Sequence, residues 1–153
     1  MSEKKSNKSL ILSIITAVVG TIGLALIFLS GLHLESTNIG TVDYSLITCI
    51  FGDGSALTPG VNAGLLTGFI FGVVGALLSF ASIKTRGLGF LAFPCFVVSS
   101  VLFLCIKPML NPFENASNIY TFGIGSIIMA ISHIGGAVLS LVTPIVSIVE
   151  NRK

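Results

Sequence analysis

Val61-Asn62-Ala63-Gly64-Leu65-Leu66-Thr67-Gly68-Phe69-Ile70-Phe71-Gly72-Val73-Val74-Gly75-Ala76-Leu77-Leu78-Ser79-Phe80-Ala81-Ser82-Ile83 is an uncharged run of 23 residues. Placed on a helix at about 100° per residue, Gly64, Gly68, Gly72, Gly75, Ser79 and Ser82 fall within an arc of about 80°. Leu66, Phe69, Ile70, Val73, Leu77 and Phe80 occupy the opposite side. A helix with one small-residue side and one bulky side suits a membrane span that packs closely on one flank and meets lipid or neighbours on the other.

Composition points the same way. The chain has 153 residues, of which 53% are hydrophobic and 9% charged. A soluble domain carries about 25% charged residues to cover its surface. Three further apolar runs, Ser9–Leu32, Gly87–Ile106 and Ile119–Val149, are long enough to cross a hydrocarbon core of about 30 Å. The predicted fold is therefore an all-α integral membrane protein, a single domain over 1–153. Four transmembrane helices (9–32, 61–83, 87–106, 119–149) form a compact antiparallel bundle. Tails 1–8 and 150–153, outer loops 33–60 and 107–118 and an inner loop 84–86 complete it. The first run exceeds the 7–15 residues or so of a signal-peptide core, and no A-x-A site follows, so it reads as a span. The last run has 31 residues. That is roughly 46 Å of helix, more than the hydrocarbon needs, so it tilts, projects or bends at Pro144. Pro94 predicts a kink in the third span.

Charge sets the orientation. Seven of the eight Lys and Arg lie in residues 1–8, 84–86 and 150–153, while four of the six acids lie in the other two loops. The positive-inside rule then places both termini in the cytoplasm of a multi-pass cell-membrane protein.

The outer loop 33–60 has 28 residues and no Lys or Arg. Thr41–Leu46 alternates polar and apolar, the pattern of a short strand or hairpin. Leu46–Phe51 is almost wholly apolar and too short to span; it reads as a strand, an interfacial turn of helix or a shallow re-entrant dip. Asp43, Tyr44, Ile50, Phe51 and Asp53 are the candidate partner-contact residues of this loop.

Inside the spans the candidate site is His133, an ionisable side chain near the middle of the last run. It shares a stripe with Gly123, Ser126, Ala130, Ala137, Ser140 and Pro144, so it faces a packed neighbour. Two roles follow: a neutral imidazole bonded across a helix interface, or the lining of a pathway. The stripe Gly64, Gly68, Gly72, Gly75 and Ser79 likewise serves either packing within the bundle or a GxxxG-type dimer face.

Other chemistry finds no pattern. His33, Glu35, Asp43 and Asp53 match neither an EF-hand nor a zinc spacing, and read as solvated loop groups. No phosphate loop, HExxH or nucleophile–base arrangement is present, so neither enzyme activity nor a cofactor or metal is expected. The few basic residues sit at membrane edges, where lipid headgroups explain them; no nucleic-acid partner is expected. Cys49 and Cys105 both fall near the outer surface, where a disulfide is conceivable, although their apolar neighbours favour free thiols. Asn115-Ala116-Ser117 matches a glycosylation sequon on the outer side, very close to the membrane, where chance occurrence accounts for it better than modification.

Four spans, two inner termini, a longer first outer loop with strand character and a short second one resemble the claudin-type tetraspan layout. With no Trp in the chain and Cys49 the single cysteine of loop 33–60, no functional residue is carried over from that resemblance. The expected function is that of a non-enzymatic accessory, scaffold or self-associating protein, bound to lipid and to a second copy or another membrane protein. The alternative is a small transporter or channel whose pathway His133 lines.

Overall fold

A computed structural model describes residues 8–36, 40–55, 58–85, 87–110 and 120–150. It is mostly helical. Helix α1 spans Lys8–Ala25, strand β1 Ser30–Ser36, strand β2 Gly40–Ser45 and the short helix α2 Leu46–Phe51. There follow α3 Ala63–Ala81, α4 Leu88–Leu104, α5 Ile106–Leu110, β3 Tyr120–Phe122 and α6 Ile124–Glu150. The sequon at Asn115, residues 1–7 and 151–153, and Arg86 lie outside the described residues.

Three helices are long and apolar enough to cross a membrane, at Lys8–Ala25, Ala63–Ala81 and Ile124–Val149. Helix α4 is also apolar but has 17 residues, close to 26 Å of rise. The long helices pack in a ring: α1 against α3 and α6, and α4 against α3 and α6. Pro94 and Pro144 both lie inside continuous helices. Pro144 frees the Ser140 carbonyl, and α4 approaches there: a Cβ on Gly89 would lie 3.0 Å from the Pro144 ring and 3.1 Å from that carbonyl.

Small polar residues are buried in the bundle beside a few large side chains such as Phe96 and Phe103, while many bulky apolar residues face outward. Ser13, Thr16, Ser79, Ser99, Ser126, Ser140 and Thr143 are buried, whereas Leu77 is 62% and Ile131 64% exposed. In water that arrangement would leave the driving force for burial unused. In lipid it is the favourable one, because small residues let helices approach while Leu, Ile and Phe meet acyl chains. Several of the buried hydroxyls are satisfied within their own helices. Thr16 donates to the Leu12 carbonyl at 2.7 Å, Ser79 to Gly75 at 2.9 Å and Thr143 to Leu139 at 2.8 Å.

Two of the helices are shorter, at the ends away from Lys8 and Lys84, than the apolar runs that suggested them. The first helix stops at Ala25; turns at Leu26–Leu29 lead into β1, which takes Ser30–Leu32 out of the span. The last run starts with β3 before α6 begins at Ile124. These pieces build a cap. The sheet order is β2-β1-β3, antiparallel throughout, with His33 opposite both Asp43 and Thr121. Leu32 on one sheet face is buried in a cluster with Leu46, Cys49, Ile50, Leu65, Phe103, Ile106 and Met129, and Tyr44 and Phe122 pack against it. The segment Leu46–Phe51 resolves to a helix, started by Ser45, whose hydroxyl accepts from the Thr48 amide at 3.3 Å. It ends at Gly52, where φ is +78° and a Cβ would sit 2.7 Å from Gly60.

Candidate functional site

His133 lies at the centre of the ring and is completely buried. Its Nδ1 is 2.8 Å from the Ser99 hydroxyl of α4. The other helices make room for the imidazole with glycine. On α3, a Cβ at Gly72 would come within 2.7 Å of Cε1; on α1, one at Gly23 would come within 3.2 Å of Nε2. Nε2 makes no hydrogen bond of ordinary geometry. The Ser99 hydroxyl and Nδ1 can bond in either direction, the roles being set by the imidazole tautomer.

Next to His133 in the ring centre stands Phe96 of α4, also fully buried, its ring centroid 5.5 Å from the imidazole. It fills notches on all three other helices. A Cβ at Gly20, Gly75 or Gly136 would approach the Phe96 ring to 2.5, 3.0 and 3.2 Å respectively. Phe103 stands on another side of His133 at 6.5 Å between centroids.

The predicted packing stripe of α3 is accordingly placed inside the bundle. Gly64 faces Met109, Gly68 faces Leu102 and Phe103, Gly72 faces His133 and Ser99, and Gly75 faces Phe96 and Cys95. Ser79 is buried near the C-terminal end of the helix. What these glycines receive is side chains, two of them central rings, and not the backbone of an adjacent helix.

The predicted contact loop divides. Asp43 is exposed and pairs with His33 across the strands. Phe51 is exposed and Tyr44 half-buried. Ile50 is a correction: it is fully buried in the cap cluster and has no surface to offer a partner. An uncharged residue reads the same whether it fills a cap or a docking face. Asp53 is engaged locally, accepting from the Thr58 hydroxyl at 2.6 Å and the Ser55 amide at 2.9 Å. Those bonds, the Ser55 and Thr58 side chains first, hold its carboxyl at about 2, below an ordinary 3.8. A depressed carboxyl contributes stability above its unfolded value that disappears as pH falls through the folded one. The bonds of Asp53 to Ser55 and Thr58 are therefore expected to be intact at pH 5 and to loosen between about pH 4 and 2. Amide exchange at Ser55 measures it, and in Asp53→Asn that acid transition should be absent.

Cys49, Cys95 and Cys105 are free thiols. Burial, with a smaller contribution from Asp53, pushes Cys49 up to about 12. Among the described residues no group of three or more His, Cys, Asp or Glu side chains converges. No family model matches the chain, nor does any curated protein or any solved structure.

Sequence reasoning reached His133 but missed Phe96 and Ser99. Ser99 had a signal in the Ser99-Ser100 pair within an apolar run. Phe96, one of eleven phenylalanines, had none.

Proposed function

We propose that this chain is a four-span protein of the cell membrane, with both termini in the cytoplasm, that acts through contacts and carries no flux. Helix α4 would be the fourth span, its 17 residues crossing where α1, α3 and α6 close around it. The charge distribution supports the orientation: Lys8 and Lys84 lie at one end of the bundle, and the cap with Asp43 and Asp53 forms the other. The observation that carries the contact reading is the filled interior. His133, where a pathway would run, is enclosed by Phe96, Phe103, Ser99 and glycines of α1 and α3. No other His, Asp, Glu, Lys or Arg falls within the described helices between Ser9 and Val149, α5 with Lys107 apart. A proton or ion relay needs more than one such group. The imidazole then works as a polar tie between α4 and α6.

On this reading His133→Ala lowers thermal stability in detergent, by about 1–3 kcal/mol for a lost buried hydrogen bond and an orphaned partner, and changes no transport. The check is reconstitution into vesicles with ion- and pH-sensitive dyes, wild type beside variant. Flux through the wild type that disappears in a folded His133→Ala variant would establish the pathway reading instead.

A further inference from the structure

Among the described residues Phe28 is the large apolar side chain left barest, at 72% exposed. It lies in the turn between α1 and β1, and Leu29, Phe51, Val61 and Ile124 are exposed as well. Backbone bonds hold these residues at one end of the bundle. The Leu46 and Ile47 amides donate to the carbonyls of Leu29 and Ile27 at 2.9 and 3.0 Å, and the Asn62 amide donates to the Ile50 carbonyl at 2.8 Å. The short helix α2 thus bridges the end of α1 to the start of α3, with Leu46, Cys49 and Ile50 buried and Phe51 facing out. An exposed apolar surface of this kind marks an interaction site. We infer that it is seated in the membrane, with Phe28, Leu29, Phe51 and Val61 inserted where acyl chains meet headgroups in the leaflet on the cap side. This inference rests on the four-span reading above and gives the rim of the cap a lipid partner in place of a protein one.

Continuity with the outside of α6 is the first support. Ile124, Ile127, Ile131, Ile134, Val138 and Val142 are all exposed and recur every three or four residues, so they form one stripe along a single helix. Lipid that covers Val138 and Ile131 follows the same stripe up to Ile124. That end of the stripe meets the rim: a Cβ on Gly125, the next residue, would lie 2.9 Å from the Leu29 Cβ. The elements of the rim bring no charge with them, since 9–32, 46–52 and 58–83 contain no Asp, Glu, Lys or Arg.

Height is the second. Gly23 lies against His133 and Leu29 against Gly125, so α6 runs antiparallel beside the first segment as far as the cap. Counted at 1.5 Å per residue along α1 to Gly23 and then along α6 to Gly125, Leu29 stands about 34 Å from Lys8. A hydrocarbon core is about 30 Å thick, and its headgroup zones bring the bilayer to about 40–45 Å. With Lys8 at one boundary of the core, Leu29 and its neighbours fall just past the other, where the apolar face of an interfacial helix settles. Asp53, exposed and two residues beyond Phe51, then stands among the headgroups.

The chain has no Trp, so one substitution supplies one depth reporter. The full chain carrying Phe28→Trp, Phe51→Trp or Val138→Trp is reconstituted into phosphatidylcholine vesicles brominated either near the headgroup end of the acyl chains or near their tips. Val138, exposed on α6 about 15 Å from the level of Lys8, reports the middle of the core. Phe28→Trp and Phe51→Trp should be quenched at least about two-fold more by the shallow bromines than by the deep ones, and Val138→Trp the reverse. Aqueous iodide should quench the two rim reporters far less than it quenches N-acetyltryptophanamide. Free access of iodide to Phe51→Trp, with no effect of bromine, would put the rim in water and overturn the inference. Protection from both quenchers would put a second copy on the rim and overturn it equally. In either case deep quenching of Val138→Trp leaves the four-span reading standing, whereas Val138→Trp untouched by any brominated lipid overturns both.

Discussion

Phe96→Ala is expected to be among the most damaging single substitutions in the bundle, lowering stability by about 3–5 kcal/mol. The ring is fully buried and is the object that Gly20, Gly75 and Gly136 are shaped to receive. Removing it leaves three helices facing a void. In lipid the loss is not a return of apolar surface from water. It is the forfeited dispersion contacts of a ring touched from three sides, which no small residue nearby can replace. The same geometry predicts a strong coupling. Gly20→Ala alone places a Cβ 2.5 Å from Cζ and 2.8 Å from Cε1 of Phe96, so the ring or a helix must shift. In the Phe96→Ala background that obstacle is gone, and the alanine partly fills the hole. A double-mutant cycle by thermal unfolding in detergent should give a favourable interaction energy of about 1–3 kcal/mol. Additive effects would mean that Phe96 does not occupy the Gly20 notch.

The small face of α3 was legible because period 3.6 alone groups Gly64, Gly68, Gly72 and Gly75 on one side. What they face was not. Periodicity says which residues share a face and is silent about the side chain opposite, so a glycine that admits Phe96 looks the same as one that admits another helix. The cap was legible in part. Alternation announced β2, and the first part of its partner β1, Ser30–Leu32, was hidden inside the first apolar run. Ser30-Gly31-Leu32 is uncharged because Leu32 fills the cap cluster, and hydropathy cannot tell a cap interior from acyl chains. Tyr120–Phe122 was absorbed into the last span for the same reason. Ile50 was misplaced on the surface because an apolar residue in a polar loop has two readings that only packing distinguishes.

Gly123 is where cap and bundle are joined, and its substitution should separate them. The residue stands between β3 and α6, and its amide donates to the Gly31 carbonyl at 2.9 Å. A Cβ there would overlap the Ser30 carbonyl, which is backbone and cannot rotate away. Two positions on, a Cβ at Gly125 would sit 2.8 Å from the same oxygen, so the start of α6 has no slack to retreat. Gly123→Val must therefore push β1 off α6, at a cost of about 3 kcal/mol from overpacking and the lost hydrogen bond together. The helix ring, closed through Phe96 and His133 well below this point, should remain. Cys49 reports the difference. Burial holds its thiol at about 12 against an ordinary 9.0; exposure would raise the thiolate fraction, and with it the alkylation rate at neutral pH, on the order of 100- to 1000-fold. Cys95, buried between α3 and α4, should stay protected in the same sample, and far-UV circular dichroism should remain helical. Gly87→Ala, at a glycine with nothing within 4 Å, serves as the control and should leave Cys49 unreactive. Simultaneous exposure of both cysteines in Gly123→Val would show instead that cap and bundle unfold as one cooperative unit.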